Sequence, residues 1–147
     1  MKLLALDVGD RRIGVAVSDL SGLIATPLTV IRRSSKVEDF AKIARLVREQ
    51  RAEGLVIGHP LNTDGSAGPQ ARRVERYAAA MSEALGLEGL SVPVMMWDEH
   101  GSTQRAQALM ISAGRSAKDR RRQIDAAAAA VILQDYLDEQ QSFGRSQ

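Results

Sequence analysis

Three acidic positions in this sequence stand where carboxylates can do chemistry. Asp7 closes the apolar run Leu3–Leu6, Asp98 and Glu99 close the run Val92–Trp97, and Asp125 heads an alanine-rich stretch. A carboxylate at the end of a buried strand costs free energy unless a cation or hydrogen-bond donors meet it. If the two strands run the same way, their carboxylates converge at one edge of a sheet. Converged carboxylates repel, and one is driven protonated unless a divalent cation neutralises them. Oxygen-only ligands favour Mg²⁺ or Mn²⁺. Such a site can hold two ions about 4 Å apart, one activating a water and the other stabilising the leaving oxygen of a phosphodiester. The plainer reading of Asp7 is a turn aspartate accepting backbone hydrogen bonds. The local residues leave both readings open.

The elements that must position these groups are legible in outline. Leu3–Leu6 has no polar face, which suits a strand covered on both sides. Gly14–Val17 follows too closely for a helical crossover, so the two runs pair antiparallel through a tight connection at Gly9–Arg12. Gly22–Arg33 reads as a third strand, with Pro27 marking an edge or a bulge. The period then changes. Ser35 and Glu38 form a capping-box signature, and Val37, Phe40, Ala41, Ala44 and Val47 predict a helix from about Lys36 to Ala52, ended near Gly54. Leu55–Ile57 is a buried strand, parallel to the first because a helix separates it from the meander. His59–Gly68 is a loop beyond the carboxyl end of a central strand, where α/β sheets bind ligands. Pro69 opens a helix with Ala71, Val74, Ala78, Met81 and Leu85 on its apolar face. Val92–Trp97 is the fifth strand, and Ser102 caps a short helix through Ala113. Arg115–Arg122 reads as a basic, mobile segment. The last helix runs from about Arg122 to Glu139, and its five successive alanines allow close approach to a sheet. After Leu137 the chain reads as a fraying polar tail.

The remaining polar groups are weaker signals. The 20 Lys and Arg residues nearly balance 18 acids, giving a net charge of +2, so the distribution says more than the total. Arginines cluster at positions 11–12, 32–33, 72–76 and 115–122, and their planar forks suit phosphate oxygens. Solvated surface charge is the blander account of any one cluster. His59 and His100 each follow a strand end, where either can shuttle a proton or touch phosphate, or simply face solvent. With no cysteine and no close His pair, disulfide, thiolate and zinc chemistry are not expected. The 147 residues suffice for one domain. No apolar run approaches the ~20 residues of a membrane span, and Asp7 interrupts the N-terminal run too early for a signal peptide. The expectation is a cytoplasmic protein that does not enter a membrane.

Four stretches taken together carry a resemblance: LALDVGDRRIGVAVSD at 4–19, VIGHPLNTDGSAGPQA at 56–71, WDEHGST at 97–103 and IDAAAAAVILQDYL at 124–137. In order and spacing the sequence resembles the YqgF (RuvX) family, bacterial proteins associated with Holliday-junction resolution or pre-16S rRNA processing. The resemblance implies an α/β, ribonuclease-H-like fold: a five-stranded mixed sheet, first three strands antiparallel, with helices on both faces. It implies that Asp7, Glu99 and Asp125 are catalytic acids and Mg²⁺ or Mn²⁺ ligands. There are departures. His100 replaces an Arg, Ser102 replaces a Thr, Arg11 replaces a Lys, and the family's Gly-Leu-Pro reads Gly58–His59–Pro60.

The expected protein is therefore a metal-dependent endonuclease in one ribonuclease-H-like domain over residues 1–140, with 141–147 a polar tail. Its partner is nucleic acid, either pre-rRNA cut at the 5′ end of 16S or branched DNA. Arg11, Arg12, His100 and Arg121 are the candidate phosphate contacts. A monomer or a homodimer is compatible with the sequence. The alternatives are a Holliday-junction resolvase, a nucleic-acid-binding factor without turnover, and a phosphotransferase of the actin and sugar-kinase kind. The last lacks its second domain here.

Overall fold

The computed structural model describes residues 1–98 and 117–145, the side chains of 117–123 and 143–145 aside. Five strands form one mixed sheet: β1 (Leu3–Val8), β2 (Arg12–Ser18), β3 (Ala25–Arg32), β4 (Gly54–His59) and β5 (Val94–Asp98), in the order β3-β2-β1-β4-β5. The first three are antiparallel neighbours, while β4 runs parallel to both β1 and β5. This is the α/β, ribonuclease-H-like arrangement expected from the sequence. Pro27 does both things a strand proline can do. It lies on the edge strand β3, and the register slips opposite it between Val15 and Ala16.

Side-chain alternation divides the core in two. Leu4, Leu6 and Val8 of β1 face helices α1 (Lys36–Gln50) and α2 (Pro69–Leu87), with Ile43, Val47, Val74 and Met81 packed on them. Leu3 and Ala5 face the opposite way, onto α3 (Ala117–Arg145), together with Ala16, Val56, Ala129 and Leu133. Residues 126–130 of α3 are all alanine and all buried. Their small side chains let the helix lie close against β1, β2 and β3.

Three expectations are corrected. The inward face of α1 is Asp39, Phe40, Ile43, Ala44 and Val47, whereas Val37 is 80% exposed and Ala41 faces solvent. A polar residue takes the inner position because its carboxylate is fully partnered. Asp39 accepts from the Ser34 amide at 3.0 Å and the Tyr77 hydroxyl at 3.1 Å, with Arg33 Nε at 3.8 Å. α1 also ends earlier than expected, at Gln50, because Arg51 itself adopts the left-handed conformation that closes the helix (φ 53°). Finally, α3 begins at Ala117, inside the stretch read as a mobile basic segment, and continues past Leu137 to Arg145. Lys, Arg and Gln are good helix formers that show no apolar stripe. Beyond Leu137 the helix is held by Gln141, whose amide reaches the Gly22 carbonyl at 3.4 Å. The expected short helix after Ser102 lies outside the described residues. Among the described residues no helix is long and apolar enough to cross a membrane.

Candidate functional site

Asp7 is one residue from the end of β1 and pairs across the ladder with Gly14 of β2. Directly opposed residues point to the same face. Asp7 continues the Leu3, Ala5 series, so that face is the α3 side. The register that places Leu6 beside Ile57 brings Gly58 next to Asp7 on the other flank, and Gly58 in turn pairs with Trp97. Asp7 thus has glycine on both neighbouring strands.

Gly14 has a second role. A Cβ there would collide with the carbonyl of Asp125 and meet the amide of Ala126 at 3.1 Å. At Asp125 and Ala126, α3 rests on the bare backbone of Gly14, the ladder partner of Asp7. Two carboxylates 118 positions apart in sequence are brought to one rim of the sheet. At the other strand, Trp97 donates to Asp135 Oδ2 at 2.8 Å and packs edge-on against Tyr136, pinning the end of β5 to the same helix.

The site carries its own cation. Arg12 Nε donates to Asp125 Oδ2 at 2.6 Å, with the two side chains 45% and 26% exposed. Arg12 was expected to seat a phosphate, and here it sits on a carboxylate instead. Arg11 is exposed, and its carbonyl accepts from the Arg33 amide at 2.8 Å. The turn between β1 and β2 is closed by the Gly9 amide on the Arg12 carbonyl, and Arg33 holds it from outside through a 2.8 Å bond to the Gly9 carbonyl.

Two other polar candidates, His59 and Asp98, face away from this rim. His59 continues the Leu55, Ile57 series on the α2 face, where Nε2 lies 3.0 Å from Glu75 Oε1. Asp98 pairs with His59 and follows Met96 on that same face, away from Asp7. Glu99 and His100 lie outside the described residues, as does the side chain of Arg121. Among the described residues no three His, Cys, Asp or Glu side chains gather closely enough to hold a metal. The carboxylate pair has the donor chemistry for one: oxygen ligands of the hard type that Mg²⁺ and Mn²⁺ prefer.

Sequence reasoning found both aspartates but missed the glycines and the Arg12 contact. A glycine inside a strand marks the close approach of another backbone, and Gly14 carried that signal.

Comparison with known proteins decides the family. The RuvX family model, described as a Holliday junction resolvase, matches residues 1–139. The chain belongs to the RuvX (YqgF) family. Relatives carry the name "Putative pre-16S rRNA nuclease". One from Thermoanaerobacter pseudethanolicus is 41% identical over 97% of this chain and 99% of its own, and one from Halalkalibacterium halodurans is 46% identical over 96% and 99%. Among solved structures, RuvC of T. thermophilus in complex with a Holliday junction substrate is similar, with a TM-score of 0.61 at 17% identity over 96% of each chain. At that identity the likeness is one of fold. It places this RuvX member in the same architecture as the RuvC resolvases.

Proposed function

We propose that this chain is a metal-dependent endonuclease acting on structured nucleic acid, and that its substrate is the 5′ precursor region of 16S rRNA in the cytoplasm. The observation that supports the reading is that the Asp125 main chain lies over Gly14, the ladder partner of Asp7. Family membership and the names of relatives identical at 41% and 46% support the nuclease class. Asp7 and Asp125 would hold Mg²⁺ or Mn²⁺, with Glu99 completing the set. When bound, the ion supplies an activated water and charge stabilisation at the scissile phosphate. The chain's own residues do the positioning. Gly14 and Gly58 stand on the two strands that flank Asp7, and the Trp97–Asp135 bond fixes β5 against α3. Arg12 offsets the charge of Asp125, and it would have to yield that carboxylate for Asp125 to hold an ion.

A nucleic-acid-binding factor without turnover is the second reading, and the Arg12–Asp125 pair is the observation that favours it. One assay separates them. Precursor 16S rRNA and a four-way DNA junction are incubated side by side, with and without Mn²⁺. Mn²⁺-dependent cutting of the RNA at its 5′ precursor supports the proposal. Binding without cutting of either substrate supports the factor, and cutting of the junction alone supports a resolvase.

A further inference from the structure

On the opposite face of the sheet from the carboxylates, the first turns of α1 and α2 enclose a cavity of about 210 Å³ at the end of β1. Its wall carries four cations, Arg33, Lys36, Arg73 and Arg76, against one carboxylate, Asp10. A wider groove along the start of α2 is lined by Arg72, Arg73 and Arg76, so the two recesses run together through a shared pair of arginines.

This concentration of charge works against the fold. Arg72, Arg73 and Arg76 are spaced so that like charges meet at i, i+3 and i, i+4. Arg72 also stands in the first turn, at the positive end of the helix dipole, where a cation is disfavoured. α1 meets the same problem conventionally, with Ser35 as cap and Glu38 and Asp39 in its first turn. α2 has no side-chain cap and no acid in its first turn. Lys36, Arg73 and Arg76 are exposed and make no ion pair among the described residues. Arg33 is the fixed point of the cluster. Its guanidinium is held by the Gly9 carbonyl and Asp39 and lies 4.5 Å over the Tyr77 ring. A row of unsatisfied cations around one anchored guanidinium is complementary to a run of phosphates.

We propose that this cationic cleft binds the phosphate backbone of the nucleic acid at a stretch away from the scissile bond. The substrate would pass around the carboxyl ends of β1 and β4, with its cleaved linkage on the α3 face and a flanking stretch seated against Lys36, Arg73 and Arg76. This rests on the reading that the chain acts on nucleic acid, and it adds a second contact surface to that site.

The test is binding, read independently of cleavage. Fluorescence anisotropy of a labelled RNA carrying the 5′ precursor junction of 16S rRNA is measured across a salt series without divalent metal. Each lost phosphate contact lowers the slope of log K against log salt by about 0.7–0.9. The triple variant Lys36→Gln, Arg73→Gln, Arg76→Gln is expected to lose about 2 from that slope and to bind about tenfold or more weakly near 0.1 M salt. The charge-conserving pair Arg73→Lys, Arg76→Lys keeps most of the slope, and the pair Lys42→Gln, Arg45→Gln on the exposed side of α1 leaves it unchanged. Thermal melts confirm that each variant is folded. A triple variant with wild-type affinity and slope overturns the inference alone. A wild-type protein that binds but never cuts overturns the nuclease reading and leaves this one standing. A wild-type protein that does not bind the RNA overturns both.

Discussion

Arg12 donates from Nε to Asp125 Oδ2 at 2.6 Å, so a carboxylate of α3 is paired with a cation that arrives from the start of β2. The pair is partly exposed, and such pairs contribute about 0–1 kcal/mol to stability. Its larger consequence is competition, because a divalent ion held by Asp125 would have to share that carboxylate with the guanidinium or displace it. Arg12→Gln is expected to lower the Mg²⁺ concentration for half-maximal cleavage by up to about fivefold, with little change in the melting curve. Titration of cleavage with Mg²⁺ checks it, and a higher metal requirement would count against competition.

Gly14 is where the helix touches the sheet. Gly14→Ala places a methyl against the main chain at Asp125, and backbone cannot swing aside as a flexible side chain can. The variant is expected to lose about 1–3 kcal/mol of stability, read by urea denaturation. It should also lose cleavage under conditions where it remains folded, because Asp125 must move. Wild-type activity in a folded Gly14→Ala protein would show that the placement of Asp125 is unimportant.

These two positions show how far the sequence could be read. Asp7, at the end of a short all-apolar run, was visible as a candidate because burial makes a carboxylate conspicuous. The antiparallel hairpin, the parallel return to β4 and the alanine face of α3 followed from run lengths and small residues. What was not legible depended on three-dimensional pairing. Nothing local to Arg12 says that its partner lies 113 residues away. His59 looked like a neighbour of the carboxylates because it follows a strand end, but the two-residue period of β4 turns it to the other face. Asp39 was invisible because its burial is made tolerable in part by Tyr77, 38 residues away in sequence.

The Asp39 network carries the next prediction. Asp39→Ala strands the Ser34 amide, the Tyr77 hydroxyl and the Arg33 guanidinium, and loss of one side of such a buried pair costs about 3–5 kcal/mol. Tyr77→Phe removes one hydrogen bond and is expected to cost about 1 kcal/mol. Chemical denaturation of the two variants should show that order, and equal costs would contradict it.

Tyr77 also sets an alkaline limit. Burial first, and then the nearby Asp39 charge, hold its phenol well above the usual 10.0. The folded state therefore keeps a proton that the unfolded chain releases. The associated stability is complete below about pH 10 and declines as pH rises beyond it. Urea midpoints at about pH 9 and about pH 11 should fall more in the wild type than in Tyr77→Phe. A Tyr77→Phe protein with the same alkaline decline would place its origin elsewhere.

In the proposed function Asp7, whose ladder partner Gly14 carries the Asp125 main chain, serves a metal-dependent cut in RNA. Loss of a group that merely supports a metal ligand costs about 10–100-fold, so loss of a ligand should cost at least about 100-fold. The direct measurement is the single-turnover cleavage rate of precursor 16S rRNA by Asp7→Asn and wild type, in Mg²⁺ and in Mn²⁺. The account predicts that Asp7→Asn retains the wild-type melting curve and RNA affinity while its rate falls by about 100-fold or more in both metals. Cleavage by Asp7→Asn at the wild-type rate would contradict it.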